Sequence, residues 1–162
     1  MTHGKLQAYI ATGGRISLTD GRVGNNKLDY IAITGHSTHN SSGIMESLLL
    51  DIIELTEPVY DGTYLAKKLL EVTDRLSITC AIISVTRDNV SPNNTMLDEF
   101  EVVVVEQWDL MDKLDQARFC CKFNRQDGDV RCVSYIYNIA IQAGKILVFY
   151  SLFTLYSKRV FS

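Results

Sequence analysis

The run "ITCAIISV", residues 78–85, is apolar with almost no alternation of polar side chains. A strand that is covered on both faces has this pattern, because neither face can turn polar side chains toward water. The sequence "TRDNVSPNN" follows at once, and its Asp, Asn, Ser and Pro residues are typical of a turn. Residues 78–85 therefore predict a central strand that ends just before Asp88.

The residues before this strand predict three strands and one helix. "ISLTD" and "DYIAIT" flank the Gly- and Asn-rich "DGRVGNN", which predicts a hairpin in which Asp20 ends the first strand. Residues 44–55, "IMESLLLDIIEL", are ambiguous by periodicity, and we interpret them as a third strand. Apolar residues at helical spacing from Leu65 to Leu76 then predict a helix, with Asp61 or Thr63 as its N-cap.

The residues after the central strand predict further helices. Ser91 and Pro92 have the chemistry of a helix start, although the valines at 102–105 leave the far end of that helix open. Residues 130–146 also have helical spacing. The predicted order is β-β-β-α-β-α followed by helix, and it indicates an α/β protein with a partial ribonuclease H-like mixed sheet. In such a sheet the first strand and the strand after the helix are neighbours.

Asp20 and Asp88 are therefore expected at neighbouring strand ends. Two carboxylates about 4 Å apart repel by roughly 1 kcal/mol in water and by more near a protein interior. A divalent cation removes this repulsion, and two such ions can stabilise the attacking and leaving oxygens of phosphodiester cleavage. The alternative is structural, because Asp-Gly at residues 20–21 and Asp-Asn at residues 88–89 are common in turns and caps.

Composition limits the function classes. The 162 residues are 46% hydrophobic and carry a net charge of −3, so one domain without a global basic field is expected. The cysteines form no C-x-x-C pair, which argues against zinc. The N-terminus lacks the order of a signal peptide, which favours an intracellular protein. The apolar tail, residues 146–156, is shorter than the roughly 20 residues that cross a bilayer, so no membrane partner is expected.

Four segments resemble the hAT superfamily of DDE transposases, of the type common in fungal genomes. Residues 16–40, "ISLTDGRVGNNKLDYIAITGHSTHN", and residues 83–99, "ISVTRDNVSPNNTMLDE", look like its two catalytic aspartate segments, the second with a T-x-D-N-x-x-x-N run. Residues 48–78 are similar to its third strand and crossover helix. "RCVSYIYNIAIQ", residues 131–142, resembles its R-C-x-x-H-x-x-N-L-x-x-Q helix. The resemblance covers Arg15 to Lys145.

The resemblance implies that Asp20 and Asp88 are catalytic residues that bind Mg²⁺ or Mn²⁺, that the partner is DNA and that the protein is nuclear. It divides the chain into a partial ribonuclease H-like core (15–107), the start of a helical insertion (108–145) and an apolar tail foreign to the family (146–162). The family's third catalytic acid is not reached. Arg22 also stands where the family has tryptophan, and Tyr135 where it has histidine. We therefore expect an inactive transposase fragment.

Two other functions stay open. The chain is alternatively a domesticated or relic module that binds a protein or DNA without catalysis, with self-association through uncovered apolar surface. It is otherwise an unrelated α/β protein in which both aspartates are turn residues. His36 and His39 are interpreted as hydrogen-bonded surface or loop residues, and Trp108 as a packing residue.

Overall fold

The computed structural model describes residues 2–25, 28–38, 42–57, 60–87, 92–119, 121–132 and 141. Their elements are α1 (His3–Ala11), β1 (Ile16–Asn25), β2 (Leu28–Thr38), β3 (Met45–Leu55), α2 (Gly62–Arg75), a 3₁₀ helix (Thr79–Ala81), β4 (Ile82–Arg87), α3 (Pro92–Leu110), α4 (Lys113–Phe119), α5 (Arg125–Gly128) and β5 (Asp129–Arg131). The chain divides into two compact units, Met1–Val130 and Arg131–Ser162. The helices and strands named here lie in the first unit, apart from the last residue of β5.

The five strands form one mixed sheet in the order β3-β2-β1-β4-β5. β1 pairs with β2, and β2 with β3, in antiparallel ladders, whereas β1 and β4 are parallel. The parallel pair requires a crossover, which α2 supplies between β3 and β4. The α/β class, the β-β-β-α-β-α order and the pairing of the first strand with the strand after the helix are all as predicted.

The core lies between one face of the sheet and the helices α2 and α3, which pack against each other. Leu18 of β1 and Val85 of β4 are fully buried and are direct partners in the parallel ladder. Phe100 and Val104 of α3 are fully buried as well. The predicted apolar stripe of α2 points into this core. Asp61 caps α2, since its carboxylate accepts a hydrogen bond of 2.8 Å from the backbone N–H of Tyr64.

Four predictions about the elements are wrong or incomplete. The strand predicted over residues 78–85 begins only at Ile82, because residues 79–81 form the 3₁₀ helix, and Ile83 is 40% exposed, so the strand is not covered on both faces. β1 does not end at Asp20 but continues to Asn25, because residues 20–25 pair in register with residues 28–33 of β2. These ladder hydrogen bonds outweigh the turn preference of the individual Gly and Asn residues. A helix was expected over residues 130–146, but residues 130 and 131 belong to β5. Residues 133–140 and 142–162 lie outside the described residues. The helix α1 was not predicted.

The helix α3 begins at Pro92 as predicted and runs without interruption through the valines at 102–105. Val104 is fully buried in the core and has no solvent-accessible surface. Tertiary packing therefore outweighs the weak helix propensity of β-branched residues. Within the described part of the chain, no helix combines the length and the apolar character that a membrane span requires.

Candidate functional site

Asp20 lies inside β1 rather than at its end, and it is half-buried. Strand alternation places it on the same face as Leu18, which is buried in the core. The parallel ladder pairs Leu18 with Val85 and Thr19 with Thr86. Continued by one residue, this register brings Asp20 level with Arg87, the last residue of β4.

Asp88 follows β4 directly but lies outside the described residues. The distance between the carboxylates of Asp20 and Asp88 therefore does not belong to the described part of the chain. The parallel pairing brings Asp20 beside the end of the strand that precedes Asp88. The shared metal site of Asp20 and Asp88 stays a prediction.

Arg87 is the functional candidate that sequence reasoning missed. Its side chain has no exposed surface, and it forms a bidentate ion pair with Asp129 at the start of β5. Nε donates to Oδ1 at 2.9 Å and Nη2 donates to Oδ2 at 2.6 Å. Nη2 also donates to the side-chain oxygen of Asn94 at 2.8 Å. A buried arginine with this bidentate geometry is held in one position, because breaking either prong leaves a desolvated charge.

These contacts join three elements around the predicted site. Arg87 ends β4, Asn94 lies in the first turn of α3, and Asp129 begins β5. Arg87 and Asn94 thereby fix both ends of the connection that contains Asp88. One signal in the sequence could have revealed this, namely a charged residue at the end of an otherwise apolar strand. Its partner Asp129 lies 42 positions further along and has no local signature.

The described donor set does not complete a divalent-cation site. Among the residues that the structure describes, no group of three or more His, Cys, Asp and Glu side chains is placed to hold a metal ion. Asp129 is occupied by the guanidinium of Arg87. Glu101 of α3 accepts a hydrogen bond of 3.2 Å from the backbone N–H of Arg125. Asp20 is thus the one predicted metal ligand whose position is described, and its immediate neighbour by register is a cation.

The other face of the sheet carries a polar row around His36. Thr19 and His36 Nε2 are 2.9 Å apart, and His36 Nδ1 and the Ser47 hydroxyl are 2.8 Å apart. On the adjacent strands the Ser84 hydroxyl donates to Ser17 at 2.8 Å. Both ring nitrogens of His36 therefore have partners, which confirms its interpretation as a hydrogen-bonded residue. His39 lies outside the described residues.

Trp108 and Cys80 are both half-buried. Trp108 of α3 is half-buried against the core, as predicted. Cys80 is half-buried, and this burial raises the pKa of its thiol, while the charge of Arg15 acts in the opposite direction. Arg15 donates to the backbone carbonyls of Cys80 at 3.3 Å and Phe119 at 3.1 Å. This arginine therefore ties the segment before β1 to the 3₁₀ helix and to the end of α4.

Two pockets lie away from Asp20. One, of about 870 Å³, opens between the sheet and the segment of residues 121–130, and its lining includes Ser17, Ser84 and Lys122. The other, of about 350 Å³, is lined by residues that include Asp74, Cys80 and Gln107. Neither lining contains Asp20 or Arg87. The candidate carboxylate edge is therefore separate from both pockets.

A scan against known protein families finds no matching family, and no curated protein matches the sequence significantly. The resemblance to hAT transposases consequently stands on the quoted segments and stays a prediction.

Proposed function

We propose that these residues correspond to part of the catalytic core of an hAT-type DNA transposase, and that the 162-residue polypeptide does not cleave DNA. The observation that carries the proposal is the parallel pairing of β1 with β4 inside a mixed sheet. This pairing has Asp20 on one strand beside the end of the strand that precedes Asp88. The same two positions carry the catalytic aspartates in the family that the sequence resembles.

The proposed ligands of the family's Mg²⁺ or Mn²⁺ are Asp20 and Asp88, and the proposed partner is nuclear DNA. When bound, such an ion would stabilise the negative charge that develops on phosphate oxygens during strand cleavage. The proposed lack of cleavage has a physical reason in the described residues. Arg87 is level with Asp20 in the strand register, and its buried guanidinium, paired with Asp129, is fixed next to the strand on which an ion would bind. Two-metal cleavage depends on carboxylates that bind both ions.

The direct test is a nicking assay on supercoiled plasmid with Mg²⁺ or Mn²⁺. The protein, Asp20→Asn and Asp88→Asn are compared at equal concentration. We expect no conversion to nicked circles above the level of the buffer for any of the three. Robust nicking by the unchanged protein that both substitutions abolish would overturn the proposed inactivity and would support the two aspartates as catalytic residues.

A second candidate function is non-catalytic binding of a protein or DNA, including self-association. It is supported by exposed apolar side chains on the edge strand β3, where Met45, Leu49 and Ile52 are 67%, 51% and 56% exposed. Apolar side chains on an edge strand favour association with another chain. Size-exclusion chromatography with light scattering tests this. A concentration-dependent dimer that Leu49→Lys dissociates would support it, and a monomer at every concentration would exclude self-association through this strand.

A further inference from the structure

We infer that the guanidinium of Arg87 is a built-in counter-ion at the carboxylate edge of the sheet, and that it competes with divalent cations for Asp20. Three charged residues lie on three adjacent strands. Asp20 is on β1, Arg87 on β4 and Asp129 on β5, in the sheet order β1-β4-β5. Arg87 thus occupies the strand between two carboxylate-bearing strands.

Strand geometry places Asp20 and Arg87 on the same face. Leu18 and Val85 are direct partners in the parallel ladder, and both are fully buried on the core side. Asp20 and Arg87 each lie two residues further along their strands, and side chains two apart share a face. Neighbouring strands are about 4.8 Å apart, so the two side chains begin from adjacent positions.

The guanidinium cannot leave this position freely. It is completely buried and makes hydrogen bonds of 2.9 and 2.6 Å to the carboxylate of Asp129 and one of 2.8 Å to Asn94. A surface lysine or arginine could swing away when a metal ion arrives, but this arginine is anchored on two sides. Its positive charge therefore stays at the end of β4, the strand next to Asp20, in a partly desolvated place where charge interactions are screened weakly.

The expected consequence is weak binding of divalent cations at Asp20. A cation that approaches Asp20 is attracted by the carboxylate and repelled by the fixed guanidinium. Asp129 balances the guanidinium charge from β5, one strand further away, so the repulsion is reduced but not cancelled. The inference rests on the proposed function only in taking Asp20 as a metal ligand. It adds a reason for low metal affinity that lies within the described residues and does not depend on a third acid.

The test is titration of the full chain with Mn²⁺, with free Mn²⁺ followed by electron paramagnetic resonance. Four proteins are compared: the unchanged chain, Arg87→Gln, Arg87→Lys, and Arg87→Gln combined with Asp20→Asn. We expect Arg87→Gln to lower the Kd for Mn²⁺ at least tenfold. Arg87→Lys keeps the charge and should bind as weakly as the unchanged chain. Adding Asp20→Asn should remove the gain.

Folding of each variant is checked by circular dichroism and a cooperative urea transition. If Arg87→Gln does not fold, Arg87→Gln with Asp129→Asn replaces it, since this variant removes both charges of the pair. Its Kd should still fall below that of the unchanged chain, because Arg87 is one strand from Asp20 and Asp129 is two. Arg125→Gln, which removes a partly exposed ion pair with Asp98, serves as the control and should leave the Kd unchanged.

Three results would overturn the inference: no gain in Mn²⁺ affinity when the Arg87 charge is removed, a gain that survives Asp20→Asn, or Mn²⁺ binding by the unchanged chain that is as tight as that of Arg87→Gln. None of these results bears on strand cleavage, which the nicking assay measures separately. Failure of the inference is therefore distinguishable from failure of the proposed function.

Discussion

Replacing Asp129 with alanine is expected to destabilise the protein more than any exposed charge substitution. Asp129 is 15% exposed and accepts both hydrogen bonds of the bidentate ion pair with Arg87, whose side chain is fully buried. The substitution removes both hydrogen bonds of the guanidinium to Asp129 and leaves its charge buried without that carboxylate. Loss of one member of a buried ion pair costs about 3–5 kcal/mol of unfolding free energy.

The assay is urea denaturation followed by circular dichroism, with thermal unfolding as a second measurement. For a chain of this length about 1 kcal/mol shifts the Tm by roughly 2–4 °C, so a decrease of about 6–20 °C is expected. The matched control is Asp98→Ala, which removes the partner of Arg125 from an ion pair whose side chains are 32% and 55% exposed. Exposed pairs contribute about 0–1 kcal/mol. An Asp129→Ala cost no larger than that of Asp98→Ala would refute the reasoning.

Three further predictions concern the scaffold. Cys80 should react with iodoacetamide more slowly than the exposed Cys121 at pH 7–8, because burial raises the pKa of the Cys80 thiol and lowers its thiolate fraction. The reaction rate of Cys80 should still rise above pH 9. Equal rates for the two thiols in a mass-spectrometric time course would contradict this. Gly13→Ala should lower the unfolding free energy by more than about 1 kcal/mol, since Gly13 has φ +85° and an added Cβ would lie 2.5 Å from the Arg118 carbonyl oxygen. An unchanged unfolding free energy would show that residue 13 does not need to be glycine. Asp61→Ala should cost about 0.5–2 kcal/mol by removing the N-cap of α2, whereas an unchanged urea midpoint would rule out a stabilising cap.

Four of the five strands could be predicted from the sequence, three of them from strong local patterns. Only the second half of the apolar run before Asp88 became the start of β4, at Ile82, and residues 45–55 of the ambiguous segment became β3. The order of elements then constrained the topology, since a crossover helix after three strands returns the chain beside the first. The pairing of β1 with β4 followed from this rule rather than from any single residue.

The parts that were missed depend on long-range packing. β5 has only three residues and too short a pattern to recognise. α3 persists through four valines because Val104 packs in the core, which local propensity does not reveal. The end of β1 was misplaced because turn-forming residues are held in a ladder with β2. The Arg87–Asp129 pair joins residues 42 positions apart, and no motif in the sequence links them.

The most direct test of the central claim is the distance between the carboxylates of Asp20 and Asp88 in a crystal structure of the chain grown with Mn²⁺. Two carboxylates that share one octahedral ion each place an oxygen about 2.1 Å from it, so their oxygens lie within about 4–5 Å of each other. We expect the oxygens of the two carboxylates to lie within about 5 Å of each other at the β1–β4 edge. A separation above about 10 Å would exclude a shared ion. That result would support the alternative in which both aspartates are turn residues of an unrelated α/β protein.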